Sequence, residues 1–178
     1  MDLVIKLSLM KILFVLLILS SYTLGQYSGI RCEDVEALTI EEDWGVLDNY
    51  TGRAIRCVEG WIETDGNYLN GKPDGDHMVW HRNGQLKKQV NWKDGKPDGV
   101  EYSWFSNGEI MSEFNWKEGH LDGVQRVWHG NGQLLCENNR KDDKIIDDKV
   151  VFYNPDGAIY KTVYFENGKD VRCEGYCP

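Results

Sequence analysis

A motif of 24 residues, repeated in phase through most of the chain, constrains the fold more than any other feature of this sequence. Gly71, Gly95 and Gly119 recur at that interval, and so do Gly75, Gly99 and Gly123. Trp80, Trp104 and Trp128 keep the same beat, with Phe152 continuing it, and Asn83-Gly84, Asn107-Gly108 and Asn131-Gly132 recur in step. Leu86, Ile110 and Leu134 hold the phase, as do Trp92 and Trp116. After one inserted residue the beat resumes at Ile159, Phe165 and Asn167-Gly168. A slightly shorter first copy, marked by Gly52, Gly60, Ile62, Tyr68 and Gly71, brings the total to about five units between Asn49 and Gly168.

Each unit reads as a β-hairpin, because Asn-Gly between two apolar-rich runs favours a tight reversal. In the second unit Asp76 to His81 leads into Arg82-Asn83-Gly84, and Gln85 to Trp92 returns. A three-residue loop with Gly84 left-handed pairs Trp80 with Leu86, whereas a two-residue loop separates them. Alternation along the strands then predicts Trp80, Leu86, Val90 and Trp92 on one side, followed in the next unit by Tyr102, Trp104, Ile110, Phe114 and Trp116. Gly75, Gly84, Gly99, Gly108, Gly123 and Gly132 are expected at turns, with Gly95-Lys96-Pro97-Asp98-Gly99 typical of the connections between hairpins. A unit this small cannot bury its own aromatics, so neighbours must stack. The expected fold class is all-β: an elongated single antiparallel sheet of stacked hairpins, with residues 26–47 and 169–178 placed to cover its two edges.

The succession Tyr50-Thr51-Gly52, then Gly71-Lys72-Pro73-Asp74-Gly75 and Trp80, resembles the MORN-repeat-variant family, in particular bacterial proteins described as YwqK-like antitoxin components. The resemblance spans roughly residues 48–168. It implies hairpin repeats stacked into a long curved sheet, and a scaffold apposed to proteins or membranes. The antitoxin description implies an alternative role, neutralisation of a partner toxin. The fourth unit departs from the pattern, with Asp143 and Asp147 in place of glycines and Arg140 in place of tryptophan, so the sheet is expected to bend or end there.

Residues 1–25 read as a secretory signal peptide: Lys6 and Lys11 precede an unbroken apolar run from Ile12 to Leu19, and small or polar residues follow. The run is too short to span a bilayer, which takes about 20 apolar residues, and no comparable stretch occurs later. A secreted or periplasmic location follows, with no transmembrane segment after cleavage. Such a compartment permits disulfides. Cys32 and Cys57 flank the start of the repeats and Cys173 and Cys177 close the chain, so one staple near each terminus is expected, with Cys136 free.

A net charge of −9 argues against nucleic acid and anionic lipid, both of which repel such a chain. His81 and His129 lie two units apart, roughly 19 Å at one strand spacing per strand, too far to share a metal. Asp74, Asp98 and Asp122 recur about 10 Å apart, which suits turn residues and not an acid/base pair. Ser103, Ser106 and Ser112 lack a nucleophile elbow, and Cys136 with His129 falls in a variable polar slot. No catalytic residues and no cofactor are expected. Asn49-Tyr50-Thr51 is a glycosylation sequon. What remains is aromatic surface: Trp80, Tyr102, Trp104, Phe105, Trp116 and Trp128 form the candidate binding face for a protein or a cell-surface polymer. A row of Val79, Phe105, Val127 and Tyr153 is the second candidate.

Overall fold

The computed structural model describes Cys32, residues 38–40 and residues 49–175. The expected leader, most of the 26–47 segment and Cys177 lie outside these residues. The described residues form one open β-sheet with no α-helix. Its strands are β1 (Leu38–Ile40), β2 (Gly52–Val58), β3 (Trp61–Leu69), β4 (Lys72–Trp80), β5 (Leu86–Lys93), β6 (Lys96–Pro97), β7 (Gly99–Trp104) and β8 (Ile110–Lys117). The series continues with β9 (His120–Leu121), β10 (Gly123–Trp128), β11 (Leu134–Lys141), β12 (Lys144–Ile145), β13 (Lys149–Tyr153), β14 (Ile159–Glu166) and β15 (Lys169–Gly175). From β2 onward every pairing is antiparallel, with the short β6, β9 and β12 set beside β5, β8 and β11 while the main path runs on to β7, β10 and β13; β1 joins the outer edge of β2 in parallel. At the other end β15 is exposed throughout, and Lys169, Asp170, Arg172 and Glu174 place charge along that edge, which discourages further strands from pairing there.

The Asn-Gly loops have the expected length. The Gly84 amide donates to the His81 carbonyl at 2.9 Å, and the His81 amide donates to the Gln85 carbonyl at 2.8 Å. Gly84 has φ 81°, a conformation open to glycine without steric cost. Trp80 pairs with Leu86, Trp104 with Ile110 and Trp128 with Leu134, as the loop argument requires. The first copy is shorter because its loop is the two-residue turn Glu59-Gly60, both with positive φ.

Two expectations about glycine and phase are corrected. Gly75, Gly99 and Gly123 are not in turns. Each lies inside or at the start of a strand, with φ of 97°, 108° and 109°. The tight reversals between hairpins are instead Asn70-Gly71, Asp94-Gly95 and Glu118-Gly119, two consecutive left-handed residues each, the geometry whose twist matches a hairpin. Asp98-Gly99 is then a two-residue irregularity: Trp92 faces Pro97 while Lys88 faces Ser103, four residues on one strand against six on the other. The inserted residue of the fourth unit lies in the Asp147-Asp148 pair that replaces this glycine, so Tyr153 and not Phe152 occupies the tryptophan position, opposite Ile159.

The sheet neither stops nor loses its pairing at the fourth unit. Asp143 adopts φ 67° without being glycine, and its carboxylate accepts from the Leu121 amide and meets His120 Nδ1, each at 2.7 Å. Asp147 accepts from the Asn139 amide at 2.5 Å. The departures from glycine are thus compensated by side-chain hydrogen bonds to neighbouring backbone.

Successive units are bonded through their loops as well as their strands. Asn83 Nδ2 donates to the Ser106 carbonyl at 2.6 Å, Asn107 to Gly130 at 3.2 Å and Asn131 to Pro155 at 2.7 Å. At the opposite rim Asp74 and Asp98 accept from the Asp94 and Glu118 amides of the following turn, each at 3.1 Å. Asp74 and Asp98 of the acidic series therefore hold the next repeat's backbone, whereas Asp122 pairs with Lys141 Nζ at 2.6 Å. The period is the period of these bonds.

Candidate functional site

A bulge in the second strand of every hairpin divides the aromatic residues between the two sides of the sheet. Val79 pairs with Lys88 but Trp80 pairs with Leu86, leaving Lys87 as an extra residue, and Met111, Leu135 and Tyr160 are its counterparts. An extra residue reverses the alternation on one strand. Trp80 and Leu86 consequently share one face, called the front. Val90, opposite His77, and Trp92, opposite Gly75, share the other, the back. The expected single row of Trp80, Leu86, Val90 and Trp92 is overturned by this bulge.

The candidate binding residues divide in the same way. Trp80, Tyr102, Trp104 and Trp128 are on the front, and the rings of Tyr102 and Trp104 lie 5.9 Å apart. Trp116 and Phe114 are on the back, opposite Gly99 and Glu101. Phe105 is at the loop rim, where its amide and carbonyl close the turn with Glu109 and Gly108. The second candidate row is not one surface either: Val79 and Val127 face the back, whereas Tyr153 belongs to the front with Ile159.

The two faces are packed differently. Beyond β4 the buried residues are Val90, Glu101, Ser103, Ser112, Gln125, Cys136 and Val150, and the register places all of them on the back. The polar ones are bonded: Glu101 meets Lys88 at 2.9 Å, Ser103 bonds Ser112, and Gln125, 2 % exposed, links the Asn115 amide and carbonyl with the Gly123 carbonyl. Such satisfied groups are inert fillers of a packed layer.

On the front, burial is concentrated in the first units. Ile55, Ile62 and Trp80 form a cluster closed by Cys32, Cys57, Met78 and Leu86. Cys32 is bonded to Cys57, and its amide donates to the Gly60 carbonyl at 3.2 Å. This attachment leaves Trp80 only 6 % exposed and removes it from the candidate surface. Trp104, Ile110, Trp128, Leu134 and Tyr153 are half-buried, and Ile159 is 65 % exposed. Beside them Arg126 bonds Glu137 at 2.6 Å and Glu113 at 3.2 Å. The sequence reading overlooked this charged group, since the positions equivalent to Arg126 in preceding units are Met78 and Tyr102.

The cysteine expectation is met at the first staple, Cys32–Cys57, and Cys136 is free and buried. Cys173 is disulfide-bonded, while Cys177 lies outside the described residues. Burial raises the Cys136 thiol pKa against a smaller opposing effect of Arg140, which disfavours the reactive thiolate. In native protein, Cys136 is expected to react with Ellman's reagent about 100-fold more slowly than in denatured protein. Equal rates would contradict its burial.

His81, His129 and His77 bond backbone carbonyls, while exposed His120 meets Asp143. Nε2 of His81 donates to the Trp104 carbonyl at 2.9 Å, and that of His129 to the Tyr153 carbonyl at 2.7 Å, one unit onward in each case. His77 lies between Tyr68 and Trp92, with ring centroids at 4.9 and 5.9 Å, and its Nε2 bonds the Asn67 carbonyl. A Cβ on Gly66 would meet this ring at 2.4 Å, so only glycine fits beneath it. Burial lowers the His77 pKa, and the Asn67 bond and the charges of Asp65 and Asp76 offset part of that. Below about pH 6.5 the unfolded chain therefore takes up a proton that the folded one resists. Stability contributed at this site is present above that pH and is lost as pH falls toward the folded-state pKa. Urea midpoints at pH 7.5 and 5.5 should differ more for the native chain than for His77→Phe; equal differences would contradict this.

Among the described residues no group of three or more His, Cys, Asp or Glu side chains is placed to hold a metal, and no helix is long and apolar enough to cross a membrane. The surface offers aromatic and aliphatic area repeated once per hairpin. Residues 73–94, 97–118 and 121–142 match the MORN repeat variant family. These three hairpins are similar to MORN-variant repeats. Each match covers one Trp-bearing hairpin, from β4–β5 onward, and the same pairing extends beyond the MORN segments to β2–β3 and β13–β14. No curated protein matches the chain.

Proposed function

We propose that the protein is a non-enzymatic, exported repeat scaffold that binds another protein or a cell-surface polymer through the front of its sheet. One observation carries this reading: Trp80 is buried beneath the Cys32 attachment, whereas the equivalent residues Trp104, Trp128 and Tyr153 are only half-buried on the same face, and Ile159 beside Tyr153 is exposed. Large apolar groups left open in a periodic row are suited to recognition by area. The back also has half-buried aromatics, Trp92, Phe114 and Trp116, but beyond β4 its middle is filled by buried residues, among them the bonded Ser103–Ser112 and Lys88–Glu101 pairs. The apolar run at 12–19 and the disulfides support export.

Affinity capture with the processed chain tests the proposal, comparing Trp104→Ala and Trp128→Ala on the front with Trp116→Ala on the back. Specific capture should be lost with the front pair and retained with Trp116→Ala, at unchanged circular dichroism. Capture indifferent to the front substitutions would refute it.

A further inference from the structure

The half-buried part of the front row beyond Trp80 has a regularity that bears on one kind of occupant, and the inference rests on the scaffold reading above. Trp104, Ile110, Trp128, Leu134, Tyr153 and Ile159 lie on β7, β8, β10, β11, β13 and β14, which are successive neighbours in the sheet. Each strand thus contributes one apolar residue to the row, aromatic and aliphatic in alternation. Adjacent strands are about 4.8 Å apart, so the aromatics recur about every 10 Å along a line across the strands. We infer that this row is a track for a neutral, β-1,4-linked polysaccharide lying perpendicular to the strands.

In an extended β-1,4 chain each pyranose advances by nearly one strand spacing, and successive rings are turned over relative to each other. The same ring face consequently recurs at every second sugar. A surface presenting an aromatic ring at every second strand meets that same face each time, and the aliphatic residue between meets the intervening sugar. The aromatic ring is the natural platform for the axial C–H face of an equatorial pyranose, since it combines apolar area with an electron-rich face.

Hydroxyl groups along the edge of such a chain need polar partners, and a periodic set lies in the adjacent front row. Gln89, Glu113 and Glu137 are equivalent positions of successive hairpins, with Arg126 between the two carboxylates. Carboxylate and amide oxygens accept from sugar hydroxyls, and the guanidinium donates. The net charge of −9 opposes a polyanionic glycan, and the uncharged apolar row supplies no carboxylate for a cationic one, so the chain inferred is a neutral one. Tyr102, in ring contact with Trp104, braces the first platform. The track begins at Trp104 because the disulfide-held Cys32 covers the preceding position. Six strands in register make a site for about six sugars.

Calorimetric titration of the processed full chain with cellohexaose and with chitohexaose tests this and separates glucose-type from N-acetylglucosamine-type chains. Maltohexaose, whose α-1,4 linkage coils the chain, serves as control. Affinity for at least one β-1,4 series should rise about tenfold per added disaccharide up to the hexamer. It should fall about tenfold or more in Trp128→Ala, recover in Trp128→Tyr and be unchanged in Trp116→Ala. The inference is overturned by no binding of either hexasaccharide, by equal affinity for disaccharide and hexasaccharide, by equal binding of maltohexaose, or by indifference to Trp128→Ala. If both hexasaccharides fail while capture of a protein still depends on Trp104 and Trp128, the glycan assignment falls and the scaffold reading stands. If both dependences fail, both readings fall.

Discussion

Trp80→Ala is expected to lower stability by about 3–5 kcal/mol, the largest effect of any single substitution in the repeats. Trp80 is 6 % exposed and is packed with Ile55, Ile62, Met78, Leu86 and both half-cystines of the first disulfide. Truncation removes the indole's contacts and leaves a void bordered by a rigid cross-link, which limits collapse around it. Trp104→Ala and Trp128→Ala remove the same side chain from half-buried positions, and each should cost roughly half as much or less. Urea unfolding followed by far-ultraviolet circular dichroism separates the three. Equal losses at all three positions would show that the N-terminal attachment does not cover Trp80. In a stacked-repeat protein each unit contacts chiefly its neighbours, so the lost protection should centre on β2 to β5, measurable by amide exchange.

The second large effect is at the disulfide. Replacing Cys32 and Cys57 together by Ser should destabilise the protein by about 3–4 kcal/mol, the chain-entropy value for closing a loop of this length; the two half-cystines are 25 residues apart in sequence. A second consequence follows from what the bond holds in place. Without it, the described residues of this segment keep the bond from the Cys32 amide to Gly60, the pairing of β1 with β2 and the packing of Cys32 on the cluster. Trp80 should then become accessible, seen as increased acrylamide quenching of tryptophan fluorescence. The two effects share one cluster, so Trp80→Ala combined with the Cys pair should cost less than the sum of the separate losses. Strict additivity would mean that the disulfide acts on the unfolded chain alone.

Much of this architecture is legible without coordinates because its determinants are local. Gly84, Gly108 and Gly132 take left-handed conformations in three-residue loops, and that loop length alone sets the Trp80–Leu86 pairing and its equivalents. The 24-residue period specifies an open sheet of stacked hairpins, since no unit buries its own rings. The pairing of Cys32 with Cys57 follows from their positions beside the first hairpin.

What the residues concealed is which side of the sheet each ring occupies. Nothing in Lys87, Met111 or Leu135 marks them as bulged: one is charged and two are apolar, and the bulge arises from reconciling a three-residue loop with the register of the longer ladder. One extra residue per hairpin is enough to send Trp92 and Trp116 to the back, and a period of 24 is blind to it because every copy carries the same displacement. Pairing also decided that Asp98-Gly99 is an irregularity within a strand, that Tyr153 replaces Phe152, and that Asp143 substitutes for glycine by bonding His120 and Leu121. The chain by itself determined the repeat, the loops and the class of fold, because these depend on backbone preferences within a few residues. Only the tertiary structure decided which aromatic residues are covered and which stay open, because that depends on strand register and on a disulfide-held segment distant in sequence.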